Sequence, residues 1–502
     1  MAFGGSAIKK GMMKIIGIIV GVVLLCTAAH GQDTLRLTLP EAIRLGQARS
    51  VDAVVAKNEY ISAYWAYRTY RTELLPEVTL TGTLPYYSKS YNQRQNEQGE
   101  YTYVSNHYNR IDAALSLTQN IPWTGGQISV SGSLERLRQM GDNASTRFMA
   151  VPASITLEQP LFGFNRVKWL QRIEPVKFKE AELAIISEFE EVALTVIGYY
   201  FNLLTARSNL ESAEQNLRNS ERLYAIAEAR WTIGQLSETE LMQMRVSLLN
   251  AESTLTSAQT NLQYQMFQLR SYLGFGDDEV LEPVIPEFEL GGVPYLNYDE
   301  VLSLARQNNA FTQNIQRRLL EASRDVSQAK ADRFDIQLFA SIGISGQEDR
   351  FSQVFNQHSW RDNQQINVGV KIPILDWGKG KGRVRVAEAN REVVQSQIEK
   401  EEMDFDQHIF IRVLNFNNQP SQLRLARETD EIARQRYDTT VEAFVAGKVE
   451  ILNLNDSQSS KDTARRNYIQ QLAYLWSYYY QIRSLTLYDF LAGRPLEIPT
   501  GM

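Results

Sequence analysis

The chain of 502 residues has one cysteine, Cys26, and four histidines. A lone cysteine excludes an internal disulfide and any paired-thiol chemistry. His107, His358 and His408 stand far apart without metal-ligand spacing, so a metal site is not expected. No nucleophile, base and orienting group occur in a motif, and the chain does not read as an enzyme. The segment Gly378-Lys379-Gly380-Lys381-Gly382 has the composition of a phosphate loop but lacks the Lys-Ser/Thr ending. Its lysines, with Arg383 and Arg385, read as solvated charges near lipid headgroups. No cofactor is implied.

Long hydrophobic runs are missing too. The longest, Ile15 to Cys26, is about a dozen residues, short of the ~20 that a membrane-spanning helix needs. Lys9, Lys10 and Lys14 precede it and Thr27, Ala28, Ala29 and Gly31 follow, the layout of a secretory signal peptide over residues 1–31. Cys26 leaves a lipoprotein signal as an alternative, although Leu25 stands where a small residue should precede a lipidated cysteine. Removing the three leader lysines takes the formal charge from −6 to −9, a poor balance for binding nucleic acid.

What is present is repetition. Residues 38–75 align without gaps on residues 297–334, an offset of 259, with Thr38/Glu41 and Asn297/Glu300 as helix-capping pairs. Further on, Pro160 aligns with Pro373 and Thr232-Ile233-Gly234-Gln235 with Val445-Ala446-Gly447-Lys448, both at an offset of 213. The first copy therefore carries 46 extra residues ahead of Pro160. The expected organisation is a first structural repeat over 32–275, a linker over 276–295, a second repeat over 296–490 and a tail over 491–502.

Within each repeat, period-two segments alternate apolar and polar residues. They are Val78 to Leu84, Ile111 to Thr118, Ile336 to Ser345 and Ile366 to Ile372. The first repeat adds a further hairpin, Ile128 to Leu134 and Val151 to Glu158, which, counted from Pro122 to Pro160, accounts for 38 of the 46 extra residues. Long helices follow. Residues 176–232 have no proline and one glycine, Gly198, and 383–445 carry Pro420, which is expected to kink that helix. Helices resume at about 237 and 450, so each repeat ends in a helical hairpin bent at Gly234 or Gly447.

Alternating strands in an exported chain suggest a membrane barrel, because only helices and closed barrels satisfy every backbone group in lipid. Four to six strands cannot close around water, since such barrels begin at about eight. The strands must be pooled between copies, giving twelve in a trimer if the extra hairpin stays outside and eighteen if it joins. Trp123, Phe162, Phe164 and Trp377 fall at the helix-side ends of the strands. Tyr86, Tyr87, Tyr91, Tyr101 and Trp360 flank the other end, as two interfacial belts would.

This duplicated plan resembles the TolC-like outer membrane efflux protein family over nearly the whole chain beyond the leader. Arg230-Trp231-Thr232-Ile233-Gly234-Gln235-Leu236-Ser237 looks like the first hairpin-tip motif and Phe444-Val445-Ala446-Gly447-Lys448-Val449 like the second. The resemblance implies a mixed α and β fold: an outer-membrane β-barrel shared by a homotrimer and continued by a periplasmic α-barrel tunnel of twelve helices. It further implies a periplasmic adaptor (membrane fusion) protein and an inner-membrane pump as partners. Arg230, Thr232, Gly234, Ser237, Gly447 and Lys448 would meet the adaptor. Asn453 and Asp456 match the entrance constriction, where relatives carry acidic rings; here one carboxylate is replaced by an amide, which should weaken cation binding. The same tube serves efflux and protein secretion. A periplasmic coiled-coil structural or adaptor protein is the rival reading, which leaves the alternating strands unexplained.

Overall fold

The computed structural model describes residues 34–96, 99–141, 144–161, 163–276, 279–287, 292–371 and 373–498. The expected leader with Cys26, and also Phe162 and Ile372, lie outside the described residues. Strand β1 (Thr34–Leu37) leads into helices α1 (Leu39–Arg49) and α2 (Val51–Thr72), then strands β2 (Glu77–Gln95), β3 (Tyr101–Asn120), β4 (Gln127–Gln139) and β5 (Ser145–Pro160). Helices α3 (Arg166–Thr232) and α4 (Glu238–Leu273) form the first long hairpin. The second half runs β6 (Val280–Pro283), α5 (Tyr298–Asn308), α6 (Ala310–Ala331), β7 (Asp335–Glu348), β8 (Trp360–Lys371), α7 (Lys379–Val445) and α8 (Ile451–Thr486). Two-residue strands β9 (Tyr488–Asp489) and β10 (Arg494–Pro495) pair antiparallel after it.

The chain divides into two compact units, each drawn from both sequence repeats. One comprises residues 1–57, 186–305 and 409–502; the other comprises 58–185 and 306–408. The first unit packs helices around Leu39, Ile197, Tyr200, Leu203, Leu269 and Leu281, all fully buried. The close approach of α1 to α3 depends on Gly46, where an added Cβ would stand 2.4 Å from Val196 Cγ2. Parallel pairing of β1 with β6 places a strand inside the segment expected to be a linker. The Tyr200 hydroxyl fixes its end, lying 2.8 Å from the Leu37 carbonyl and accepting from the Val284 amide at 3.0 Å. The start of α1 is capped as its sequence requires, with the Thr38 amide and hydroxyl both donating to the Glu41 carboxylate.

The second unit holds one antiparallel sheet in the order β2-β3-β4-β5-β7-β8. The extra hairpin is β4–β5, and it sits between the strands of the two repeats, bonded to β3 on one side and β7 on the other. Helices beside the sheet are tied by Arg317 to Glu180 (2.6 Å) and Glu321 (3.0 Å), and by the stacked pair Phe311–Phe405. Strands β2 and β3 run far past the alternating segments, to 19 and 20 residues. Their ladder continues from Tyr86↔Arg110 to Gln95↔Tyr101. Alternation marks only the part where one face is apolar; backbone pairing persists where tyrosines and polar residues mix on both faces.

Two expectations about helices are corrected. Helix α3 begins at Arg166, ten residues before the expected start, with Pro175 inside it. Helix α7 likewise begins at Lys379 and continues through Pro420. Each proline removes one helical hydrogen bond, and the helical span runs on past it. The Gly-Lys-Gly-Lys segment is the first turn of α7. The Asp376 carboxylate caps it, accepting from the Gly380 amide at 2.7 Å and the Gly378 amide at 2.9 Å, and these bonds hold it below the usual carboxylate range.

Candidate functional site: the hairpin tips

The two hairpin bends have the same backbone, 213 residues apart. Gly234 adopts φ +73° and Gly447 φ +74°, a left-handed conformation that favours glycine. At the first bend the Gly234 amide donates to the Trp231 carbonyl and the Gln235 amide to the Arg230 carbonyl, both at 2.9 Å. At the second, Gly447 donates to Phe444 and Lys448 to Ala443, again at 2.9 Å. This pairing of short and long return bonds closes a helix end by satisfying its last carbonyls. The alignment of Gly234 with Gly447 is therefore a true structural repeat.

The tips are packed together. Leu223, Ala227 and Met244 of the first hairpin form one buried cluster with Tyr437, Phe444, Ile451 and Leu454 of the second, and Leu236, Leu241 and Val445 close over it. Arg230 joins the bends by a single bond: its Nη2 donates to the Val445 carbonyl at 2.6 Å. The guanidinium lies 3.6 Å from where a Cβ on Gly447 would stand. Arg230 is thus turned onto the neighbouring bend and half-buried. The Thr232 hydroxyl donates back to the Glu228 carbonyl of its own helix at 2.8 Å. Ser237 caps α4, with its hydroxyl and amide both donating to Glu240, whose carboxyl is held below its ordinary range. Of the six residues expected at the tips, Thr232, Gly234, Ser237, Gly447 and Lys448 are exposed.

Asn453 and Asp456 are exposed on the first turns of α8. Asp456 is not a bare carboxylate, since its Oδ2 accepts from Arg436 Nη2 at 2.5 Å, and Arg436 also reaches Ser460. Sequence reasoning missed Arg436. Its signal was distance from the bend: it lies eleven residues before Gly447 and Asp456 nine after, which brings them face to face on antiparallel helices.

Behind the tips lies a buried polar layer. The Lys461 ammonium donates to Asn216 at 3.2 Å and rests 4.4 Å from the centre of the Tyr437 ring, while Asn216 donates to Asp462 at 2.8 Å. Asp430 receives Arg465 at 3.1 Å and Arg434 at 3.4 Å. At the opposite end of α8, Arg483 spans buried Glu190 (2.9 Å) and Asp489 (3.3 Å), and the Tyr479 hydroxyl also donates to Asp489. Burial pushes the Glu190 carboxyl up to about 7, against the downward pull of Arg483. Among the described residues no group of three or more His, Cys, Asp or Glu side chains could hold a metal ion, and no helix is long and apolar enough to cross a membrane.

The fold has counterparts in solved structures. The CmeC outer membrane channel of Campylobacter jejuni is 16% identical, with 92% of this chain and 87% of that one covered at a TM-score of 0.63. The outer membrane protein VceC of Vibrio cholerae is 15% identical, with 91% and 96% covered at 0.61. The open-state MtrE outer membrane channel of Neisseria gonorrhoeae is 14% identical, with 89% and 88% covered at 0.58. No curated protein sequence matches significantly. At such identities the likeness establishes the fold, a long-helix tunnel element joined to a barrel sheet. The sequence profile of the outer membrane efflux proteins matches residues 123–275 and 301–491, well over half the chain, and so the chain belongs to the outer membrane efflux protein family.

Proposed function

We propose that this protein is the exit duct of a three-part efflux system, receiving cargo from an inner-membrane pump through a periplasmic adaptor that seats on the two hairpin tips. The family works as trimeric channels with adaptor and pump partners, as ducts rather than enzymes. The supporting observation is that one chain carries both a strand sheet with an exposed apolar face and two helical hairpins ending in matched glycine bends. A periplasmic coiled-coil adaptor would account for the hairpins alone. The test is fractionation with gene deletion. The protein should appear in the outer membrane as a heat-modifiable trimer, and its loss should raise retention of small toxic compounds such as ethidium. A water-soluble monomer would sink the reading.

At the entrance, three-fold symmetry would set three Asp456–Arg436 pairs around the mouth. An exposed pair adds little stability, so its effect is on the field that a permeating ion meets. Asp456→Ala should leave an excess of positive charge, raising the concentration of multivalent cation needed for half-block of single channels several-fold. Arg436→Ala should leave bare carboxylates and lower it. Equal block in both variants would remove these residues from the constriction.

A further inference from the structure

The β4–β5 hairpin carries the pattern of a membrane wall. Following the ladder partners from strand to strand, Val78, Leu117, Val130, Ile155 and Ile342 form one lateral row, on the same face of β2, β3, β4, β5 and β7. The adjacent row on the other face is Thr79, Ser116, Ser131, Ser154, Gly343 and, on β8, Asn363. Hydroxyl pairs line that face, with Thr79 3.3 Å from Ser116 and Ser154 3.3 Å from Ser341. The apolar row is exposed across the hairpin as it is across its neighbours: 42% at Val130 and 46% at Ile155, against 41% at Leu117 and 55% at Ile342. A flap in water would gain nothing from continuing its neighbours' apolar face. At 13 and 16 residues, both strands exceed the roughly 9–11 that cross a membrane.

From this register, and resting on the exit-duct reading, we propose that β4 and β5 are part of the outer-membrane barrel, so that three copies close an eighteen-stranded barrel. Both flanks of the hairpin are bonded, to β3 and to β7, which leaves β2 and β8 as the free edges of the sheet. Free edges are not tolerated in lipid, where an unpaired amide or carbonyl has no water to bond. The occupant that fits each edge is the opposite edge of a second copy, in a family that works as trimers. With strands about 4.8 Å apart and tilted about 40°, eighteen enclose a wall about 36 Å across between backbones, against about 24 Å for twelve. The outer-membrane segment is thereby a wide, hydroxyl-lined lumen, and selection by size passes to the helical entrance.

The hairpin starts and finishes at one end of the sheet, since Asn120 pairs with Gln127 and Gln127 with Glu158. Excising residues 121–160 would rejoin Asn120 to Leu161 without spanning the sheet. In electron micrographs of the trimer this variant should show a barrel about one third narrower; an unchanged diameter would overturn the proposal. Single cysteines keep the question open to test should the excised chain fail to fold. In proteoliposomes, a charged thiosulfonate should label Ser131→Cys and Ser154→Cys and spare Val130→Cys and Ile155→Cys, as it spares Leu117→Cys and Ile366→Cys. Labelling of Val130→Cys and Ile155→Cys alone would put the hairpin outside the barrel and leave the duct standing. Labelling of Leu117→Cys and Ile366→Cys as well would defeat the duct reading itself.

Discussion

Arg483→Ala should be among the most destabilising single substitutions in the protein, lowering stability by about 3–5 kcal/mol, because it strips a buried carboxylate of its counter-charge. Glu190 is buried, 2.9 Å from Arg483 Nε, with its second oxygen 3.0 Å from Nη2. The same guanidinium reaches Asp489 and lies 4.6 Å from the Tyr480 ring centre. Burial raises the Glu190 carboxyl from an ordinary 4.5 to about 7 even with Arg483 in place. The sign follows from linkage: the folded state holds the proton more tightly than the unfolded chain. Stability from this group is therefore complete below pH 4.5 and falls as pH rises through about 7. Without Arg483 the carboxyl should titrate higher still, so the variant should lose less at pH 5.5, where Glu190 can stay neutral, than at pH 8. Glu190→Gln should flatten this part of the pH profile. Thermal unfolding of the detergent-purified protein, followed by circular dichroism at both pH values, measures both. A loss in Arg483→Ala that is the same at pH 5.5 and pH 8 would show that Glu190 does not titrate in this range.

That cluster also shows where reading from sequence stops. Its members lie 293 residues apart, on helices α3 and α8 of different repeats, and nothing local to Glu190 or Arg483 marks the pair. Features set by the backbone's own needs were legible. Gly234 and Gly447 stand where a chain of L-residues must turn left-handed, and the alternation at Val78–Leu84 and Ile366–Val370 is forced by a face that meets apolar surroundings. Strand lengths were not legible: beyond Leu84 tyrosines and polar residues mix on both faces, and the periodic signal fades while the ladder runs on to Gln95. The helix starts at Arg166 and Lys379 were hidden by Pro175 and by the glycines after Trp377, residues that usually argue against helix. The extra hairpin was legible as strands, but its place in the sheet order was not, because pairing of β5 with β7 joins segments 187 residues apart, as between Ser154 and Ser341. At the site, the bend glycines were found from their type and position, whereas Ser237, expected as an adaptor contact, is seen to cap α4 only in the structure. The Arg230 contact with Val445 required the packing of one hairpin against the other, and the Arg436–Asp456 pair the antiparallel register of α7 on α8 within the second.

Replacing Gly447 by valine should abolish efflux while leaving the trimer in the outer membrane, because the damage is confined to one bend. Two effects add. At φ +74° a non-glycine residue carries a backbone cost of about 1–2 kcal/mol, larger for a β-branched side chain. The new Cβ would also stand 3.6 Å from the Arg230 guanidinium, so the valine methyl groups beyond it would displace the bond to the Val445 carbonyl that ties the two tips. Gly234 separates these effects, since its φ is nearly the same, +73°, but no atom lies within 4 Å of its Cβ position. Gly234→Val should therefore be the milder lesion. Asparagine tolerates the left-handed conformation, so Gly447→Asn should restore the bend and recover more transport than valine. Strand β8 and the rest of the sheet belong to the other unit and are not touched by the change, so heat-modifiable migration should be that of the wild type. Ethidium retention in cells carrying Gly447→Val should equal that of cells lacking the protein. Normal transport by Gly447→Val, with its trimer intact, would show that the second bend is not where the pump's adaptor seats.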